Sequence, residues 1–318
     1  YETERLRCGA CGKVFEAKLP AGVPAQKWDE TAVAMAALSR FGYGVPHYRL
    51  EKWQAALGVP ITDAVFSQLS MGLAADAIPI AKRLIEMAAD GTLIHADDTM
   101  MRVLDLIQEN KKRDPDKERV GMFTTAMIST VDEREIALFF TGRKHCGENL
   151  KMLLDLRAVE LAPPKILVDG SSRNMPEDFT GILINCLTHG RRQFIGLENS
   201  FPEEVKYVID LLGKVYYYDA QARRLMLDDN ARLKYHQENS GPRFEDLKNW
   251  CHDQIETRKA EPNSGLGKAI FYLQKRWPNL TMFLNVSGAP LTNDIVERTI
   301  KTCVIHRKNS MFYKTLAG

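Results

Sequence analysis

The chain has 318 residues, of which 45% are hydrophobic and 26% charged, as is usual for a soluble globular protein of roughly two or three domains. Its 43 basic residues nearly balance 41 acidic ones, so the net charge is +2. This balance excludes a uniformly basic or acidic chain. It neither indicates nor excludes a nucleic-acid partner, because local clusters of charge decide that question.

The cysteines lack the spacing of a disulfide framework, which favours a reducing, cytoplasmic setting. They are Cys8, Cys11, Cys146, Cys186, Cys251 and Cys303. No apolar run is expected to reach the length of a membrane span, and no signal peptide opens the chain. Tyr1 is not a natural first residue, so we expect a fragment or processed product of a cytoplasmic protein with no membrane partner.

The N-terminal segment, residues 1–24, is short, Gly-rich and basic, and it contains Cys8-Gly-Ala-Cys11-Gly. A Cys-x-x-Cys pair with such neighbours is typical of one half of a zinc site. Residues 21–28 follow as a predicted linker.

Helical periodicity begins at Asp29 and continues to about residue 90, which predicts a helical region. Breaks are expected at residues 58–60 and at residues 72–79, where Gly and Pro occur. Thr62 is a candidate cap for the helix between these breaks.

The hydrophobic period changes after residue 90, where β-branched and aromatic residues become frequent. The predicted order is a strand at 92–106, a polar turn at 109–119, strands at 120–130 and 135–142, a helix at 147–158 and a buried strand at 165–170. Three strands, a helix and a fourth strand therefore follow one another. Residues 175–279 return to a helical pattern, residues 280–290 are a strand or a loop, and residues 291–305 are a helix.

Three acidic residues in this region end strands or lie on the last helix. Asp97 and Asp98 are adjacent in the first strand, and adjacent strand residues point to opposite faces, so at most one of them faces a given site. Asp169 ends the fourth strand, and Glu297 lies on the last helix. If the first and fourth strands are neighbours, three carboxylates can meet and bind Mg²⁺ or Mn²⁺. Spacing alone favours the alternative, ordinary acids at strand ends and a common Asp-Gly turn.

Several stretches together resemble, in the same order, the transposases of the insertion sequence sixty-six family. They are "LIHADDTMMRVLD", "ILVDGSSRN", "INCLTHGRRQF" and "PLTNDIVERTIKTCVIHRKNSMFY". The helical stretch at residues 37–70 and the N-terminal "RLRCGACGKVF" fit the same family, so the resemblance covers nearly the whole chain. Its most specific pieces are "HGRRQF" and "ERTIK…HRKNSMFY".

The resemblance implies an α/β catalytic core of the ribonuclease-H-like type with a helical insertion. It implies a small zinc-ribbon-like segment at 1–24, a helical and DNA-binding domain at 25–90, core parts at 91–174 and 281–318, and an insertion at 175–280. It also implies a DDE triad of Asp97, Asp169 and Glu297 that binds Mg²⁺ or Mn²⁺. Asp98 stands where the family usually has Glu. We expect it to face away from the metals, solvated or beside a basic side chain, although exchanged roles for Asp97 and Asp98 stay open.

Cys186 and His189 match a Cys-x-x-His signature of several such transposases. Two residues at this spacing can share a helix face, but they cannot complete a four-ligand zinc site, so we favour a packing or hydrogen-bonding pair. His189 contacting the scissile phosphate is the alternative. The remaining candidate phosphate contacts are basic: Arg191, Arg192, Arg298, Lys301, Arg307 and Lys308. For Arg191 and Arg192 a solvated helix face is an equal alternative. The family carries a second Cys pair upstream of Cys8 and Cys11 that this chain lacks, so Zn²⁺ at this half-site stays open.

These features predict a DNA transposase that hydrolyses the strand at an element end and joins the freed 3′-hydroxyl to target DNA. Work on two ends implies at least a homodimer, and the family implies helper proteins. One alternative is a ribonuclease-H-like nuclease that cuts without joining. The other is a domesticated, non-catalytic DNA-binding protein built on residues 1–90.

Overall fold

The computed structural model describes residues 3–23, 27–114, 119–175 and 179–316, which form two compact units, Tyr1–Ile78 and Pro79–Gly318. The predicted linker at 21–28 and the predicted polar turn at 109–119 lie partly outside the described residues.

The first unit begins with a two-stranded antiparallel hairpin, β1 (Arg5–Arg7) and β2 (Val14–Glu16), whose side chains are exposed. Two helices follow, α1 (Glu30–Ala37) and α2 (His47–Ala56). Phe66, at the start of the next helix, packs against Leu50 to form a small core. The predicted helical region is therefore present.

Helix α3 (Asp63–Ala89) begins where the sequence predicts, because the Thr62 hydroxyl accepts a hydrogen bond from the Val65 amide at 3.4 Å. The predicted break at 72–79 is wrong, since α3 runs unbroken through Gly72 and Pro79. Every residue from 71 to 80 is exposed, so water can solvate the carbonyl that proline leaves without a donor.

Helix α3 is also long and apolar enough to cross a membrane, judged by length and composition alone, with a mean hydropathy of 1.3 over its most apolar window. The expectation that no apolar run reaches this length is therefore wrong at α3. In the sequence, Gly72 and Pro79 divide this apolar run into shorter segments, which is why its length was not expected.

A five-stranded mixed sheet in the order β5-β4-β3-β6-β7 organises the second unit, which is a mixed α/β structure. The strands are β3 (Leu93–Met100), β4 (Phe123–Val131), β5 (Arg134–Gly142), β6 (Lys165–Val168) and β7 (Ile182–Asn185). Strands β5, β4 and β3 are antiparallel, whereas β3, β6 and β7 are parallel. The first and fourth predicted strands, β3 and β6, are neighbours, which meets the condition under which Asp97 and Asp169 can lie side by side.

Two element predictions in this unit need correction. The first strand ends at Met100 rather than residue 106, and residues Leu104–Asn110 form helix α4, where Leu106 turns into the core. Strand β7 lies in a region predicted to be helical. It has only four residues, too few for a two-residue period to be distinguished from a helical one.

Seven further helices complete the unit. They are α5 (Cys146–Leu154), α6 (Leu187–Ile195), α7 (Pro202–Arg224), α8 (Asp229–Asn239), α9 (Gly241–Glu256), α10 (Gly265–Leu280) and α11 (Asp294–Ser310). The predicted helices near α5 and α11 are confirmed. The segment left open as a strand or a loop contains one short 3₁₀ turn, Met282–Leu284, and no strand among its residues, all of which are described.

The two faces of the sheet are covered by different helices. On one face, Val296 of α11 packs against Ala126 and Ile128, and Leu167 joins the large core formed with α6 to α10. On the other face, Ile94 and its neighbours pack against α5 and the end of α3. Side chains alternate between the two faces along β3. From His95 onwards, odd-numbered residues therefore point towards α11 and even-numbered residues point towards α5.

Candidate active site

Asp97 and Asp169 share one face and one edge of the sheet. The parallel register of β3 and β6 pairs His95 with Leu167, and each aspartate lies two residues beyond that pair. Residues two apart on a strand point to the same face, and neighbouring strands lie about 4.7–4.9 Å apart. The two carboxylates therefore project side by side, Asp97 from within β3 and Asp169 from just beyond β6, towards α11 and α6.

The chain around Asp169 is held by α10. Gly170 has a φ of +83°, and its carbonyl accepts hydrogen bonds from Arg276 Nε at 2.9 Å and Nη2 at 2.8 Å. The Tyr272 hydroxyl donates to the Asp169 carbonyl at 3.1 Å. The Ser171 amide donates to Asp169 Oδ1 at 2.7 Å, which fixes the carboxylate itself.

Helix α11 brings Glu297 to the same face, and Asn293 anchors its first turn. Asn293 is fully buried. Its Nδ2 donates to the Ala96 carbonyl at 3.0 Å, and its Oδ1 lies 2.9 Å from His95 Nδ1, which donates to it. The Asn293 amide also donates to Cys186 Sγ at 3.2 Å. One side chain thus ties α11 to β3, and its backbone ties α11 to the start of α6.

Glu297 has a different neighbour at each carboxylate oxygen. Arg192 Nη2 donates to Oε2 at 3.0 Å, forming an ion pair. His189 Nδ1 lies 3.9 Å from Oε1, and both of these atoms are buried without a hydrogen-bond partner. Cys186, His189 and Glu297 offer ligand atoms that all lie within 4.8 Å of one another. The Cys-x-x-His pair is therefore adjacent to a carboxylate.

Burial and neighbouring acids shift the acid–base properties of the site. Burial, followed by the charges of Asp169, Asp98 and Glu297, raises the pKa of Asp97 to about 7, and the Asp98 amide opposes these effects with a 2.8 Å hydrogen bond to Oδ1. Burial lowers the pKa of His189, with Arg192 acting in the same direction, and the Asp169 and Glu297 charges opposing it. The site therefore carries negative charge that its own cations do not balance, which suits a divalent cation.

Among the described residues, Cys186, His189 and Glu297 are the one set of three potential metal ligands whose ligand atoms all lie within 4.8 Å of one another. The carboxylates of Asp97, Asp169 and Glu297 do not all come this close together. The charges of Asp169 and Glu297 are nevertheless close enough to raise the pKa of Asp97. Repulsion between like charges and the pull of Arg192 on Glu297 both favour this separation when no cation is bound.

Asp98 lies on the opposite face, as strand alternation predicts. Its Oδ2 is 3.5 Å from Nδ1 of His145, the residue that caps α5. This position agrees with the expectation that Asp98 faces away from Asp97 and beside a basic side chain.

Comparison with known proteins identifies the family. The sequence model of the Transposase IS66 family matches residues 26–318. The chain belongs to this family. The resemblance seen in the sequence is thereby confirmed.

Two relatives of this IS66-family chain come from Sinorhizobium fredii. The uncharacterized protein y4jD is 25% identical over 334 residues, which cover 99% of this chain and 61% of y4jD. The uncharacterized protein y4hP is 31% identical over 92 residues, 29% of this chain and 16% of y4hP. The chain thus spans about three-fifths of the first relative.

The basic residues predicted to contact DNA differ in their surroundings. On α11 of this IS66-family chain, Arg298, Lys301 and Lys308 are exposed, and among the described residues none of them forms an ion pair. Arg307 instead donates to Thr99 Oγ1 at 3.1 Å and to the Met100 carbonyl. On α6, Arg191 is half-buried, and Arg192 is bound to Glu297.

Cys8 and Cys11 lie in the turn of the N-terminal hairpin. The Cys8 amide donates to the Lys13 carbonyl at 2.8 Å, and the Gly12 amide donates to the Cys8 carbonyl at 2.9 Å. Hydrogen bonds from the Cys11 and Ala10 amides lower the pKa of Cys8. Within the part of the chain that the structure describes, no third Cys, His or acid joins this pair.

Sequence reasoning missed three residues that position the site: Asn293, Tyr272 and Arg276. Asn293 precedes a helix, so it reads as an ordinary cap, whereas its side chain crosses to β3. Tyr272 and Arg276 lie four residues apart on α10 and donate to backbone carbonyls at Asp169 and Gly170. Because backbone carbonyls are the same in every residue, no sequence motif marks these contacts.

Proposed function

We propose that the chain carries the catalytic core of a DDE-type DNA transposase with a ribonuclease-H-like fold. The observation that supports this most strongly is the β3–β6 register, which sets Asp97 and Asp169 side by side on the face that α11 crosses with Glu297. Family membership supplies the transposase role, and the raised pKa of Asp97 indicates a site built for cations.

The carboxylates of Asp97, Asp169 and Glu297 fit Mg²⁺ or Mn²⁺, whose chemistry at such a site is to activate water and neutralise the leaving oxygen of a phosphodiester. Asp97 and Asp169 would hold the cation from the sheet, and Glu297 would complete the set once its ion pair with Arg192 opens. The Arg192 guanidinium, a planar donor fork, would then suit a DNA phosphate.

The wider organisation belongs to the same proposal. The basic residues His189, Arg191, Arg192, Arg298, Lys301, Arg307 and Lys308 position DNA phosphates, while the hairpin of residues 1–24 and the helical region of 25–90 assist in DNA binding. Residues 175–280 form the insertion between core parts 91–174 and 281–318. The protein acts in the cytoplasm as at least a homodimer with helper proteins, and Cys8 and Cys11 supply half of a zinc-ribbon-like site.

The decisive experiment compares two neighbouring acids. In Mg²⁺ or Mn²⁺, Asp97→Asn and Glu297→Gln are expected to lower DNA end cleavage and strand transfer by about 10²-fold or more, because cation binding is lost. Asp98→Asn, one residue away on the other face, is the matched control and is expected to keep most of the activity. Loss with Asp98→Asn and retention with Asp97→Asn would show that the two residues exchange roles.

Two other outcomes point to the alternatives. A precleaved DNA end that is hydrolysed but never joined to target DNA would indicate a nuclease. Unchanged biological output from Asp97→Asn and Glu297→Gln, with DNA binding retained, would indicate a non-catalytic DNA-binding protein.

A further inference from the structure

Two buried polar atoms in the site have no partner. Glu297 Oε1 and His189 Nδ1 face each other at 3.9 Å, too far apart for a hydrogen bond, and neither finds another partner. Leaving a buried polar group unsatisfied costs about 1–3 kcal/mol. Cys186 Sγ lies within 4.8 Å of both, so the three atoms surround one point.

We propose that Cys186, His189 and Glu297 bind a transition-metal cation of the Zn²⁺ class, at a site that shares only Glu297 with the one proposed for Mg²⁺. A thiolate, an imidazole and a carboxylate form a donor set that prefers Zn²⁺, whereas the all-oxygen set of Asp97 and Asp169 prefers Mg²⁺ or Mn²⁺. Three protein ligands and one open position match the usual arrangement of an open zinc site.

The observed spacing needs only a small contraction. Ligand atoms about 2.0–2.3 Å from a tetrahedral zinc stand roughly 3.3–3.7 Å apart, so the site must close by about half an ångström to one and a half ångströms. Cys186 is the residue just before α6; burial raises its pKa, and hydrogen bonds from the Asn293, His189 and Thr188 amides oppose that rise. The Asn293 amide already donates to its sulfur. On binding, the metal–sulfur bond forms and the thiol proton passes to solvent.

Arg192 opposes the metal. Its Nη1 donates to His189 Nε2 at 3.3 Å, and its Nη2 donates to Glu297 Oε2. A cation on Nδ1 places the ring proton on Nε2, which then no longer accepts from Arg192. The contact with Oε2 can persist, because the metal uses Oε1. Removing this positive charge with Arg192→Gln is therefore expected to tighten Zn²⁺ binding.

One consequence rests on the proposed function. Glu297 belongs to both sites, so Zn²⁺ at Cys186 and His189 withdraws a carboxylate from the Mg²⁺ set. Zn²⁺ is then expected to inhibit Mg²⁺-dependent cleavage.

The test uses Co²⁺ and Zn²⁺ on the chain with Cys8→Ser and Cys11→Ser, which removes the hairpin cysteines as competing ligands. Co²⁺ is expected to give a sulfur-to-cobalt charge-transfer band in the near ultraviolet, and calorimetry is expected to show one Zn²⁺ per chain. Cys186→Ser should abolish the band, and His189→Gln should weaken Zn²⁺ binding about tenfold or more. Cys251→Ser, which alters another fully buried cysteine, should leave both unchanged.

Absence of the band, or a band that survives both Cys186→Ser and His189→Gln, would overturn the proposal. Circular dichroism checks the fold of each variant; if Cys186→Ser does not fold, His189→Gln at the more accessible imidazole decides. The binding measurements contain neither DNA nor Mg²⁺, so the metal site can stand even if no cleavage is found, and cleavage can stand if no band is seen.

Discussion

Asp97 holds an unfavourable charge when no cation is present. Its pKa rises from 3.8 to about 7 because of burial and the surrounding acids. A carboxyl whose pKa is higher in the folded than in the unfolded state stabilises the fold below pH 4 and loses that contribution as the pH rises through 7. The rise corresponds to roughly 4 kcal/mol as an upper limit.

Asp97→Asn is therefore expected to raise the free energy of unfolding of the metal-free protein at pH 8, and to change it little near pH 4. Urea unfolding in a chelator at both pH values measures this difference. Adding Mg²⁺ at pH 8 should stabilise the unsubstituted protein and not the variant. Equal stabilities of the two proteins at pH 8 would contradict the effect.

Asn293 offers a second prediction at the scale of one residue. Asn293→Ala leaves the buried Ala96 carbonyl and His95 Nδ1 without partners, so we expect a loss of about 3 kcal/mol in the free energy of unfolding. The control is Asn285→Ala, an exposed residue whose Nδ2 donates to the Thr281 carbonyl, and it should cost less than about 1 kcal/mol. Urea titration measures both, and similar losses would contradict the anchoring role.

At the scale of single residues, the sequence identifies those that belong to a recognisable motif. Spacing alone leaves Asp97 and Asp169 as ordinary acids, and the resemblance to the family assigns them to the site. Asn293 belongs to no such motif, since its side chain binds His95, which lies 198 positions away. The proximity of Glu297 to Cys186 and His189 likewise depends on how α11 crosses the sheet, which no local pattern encodes.

Helix α11 presents a basic stripe to solvent. Arg298, Lys301 and Lys308 are spaced three and seven residues apart, so they lie on one helix face next to Glu297. Such a stripe is suited to DNA phosphates, and each phosphate contact contributes about 0.9 to the slope of log affinity against log salt.

Replacing these three residues by Gln is expected to weaken DNA binding and to lower that salt slope by up to about 2.7. Lys214, Lys248 and Lys268, exposed on other helices, provide a control triple with the same change of charge. Fluorescence anisotropy across a salt series measures both. Equal losses in the two triples would indicate a general charge effect and not a contact surface.

At the element scale the sequence predicts long periodic segments and fails at short or locally contradicted ones. Strands β4 and β5 and helices α5 and α11 follow from their periodicity. Strand β7 is not predicted because four residues are too few to distinguish a strand period from a helical one. Its conformation depends on its pairing with β6. Helix α3 continues through Gly72 and Pro79, although these residues predict a break. Because this part of the helix is exposed, water can bind the carbonyl that proline leaves without a donor, and the cost of a buried unpaired carbonyl is avoided.

At the scale of the whole molecule, α3 passes from the first unit into the second. Phe66 is buried in the helical core near its start, and Ala88 and Ala89 are buried beneath the sheet at its end. The stretch between Phe66 and the charged pair at 82–83, in which Asp76 is the one charged residue, is about 15 residues, or ~22 Å at 1.5 Å per residue. A bilayer core is about 30 Å thick, and Asp76 interrupts the stretch.

The chain is therefore expected to remain unbound when floated with phospholipid vesicles, despite the apolar composition of α3. A matched variant, Asp76→Leu, removes the central charge and is expected to increase binding without reaching stable insertion, because the length is unchanged. Co-flotation of the unsubstituted protein would contradict this interpretation.

The crossing of α11 over the sheet also sets the order of assembly. Strands β3 and β6 can pair while the polypeptide is still being translated, but Glu297 joins them only after Asp294–Ser310 has left the ribosome. Contacts between such remote positions form late, because the loop they close is long. On the proposed function, a nascent chain therefore displays two aspartates without the third acid, and we expect it to act on the DNA from which it is being expressed only after synthesis has passed this helix.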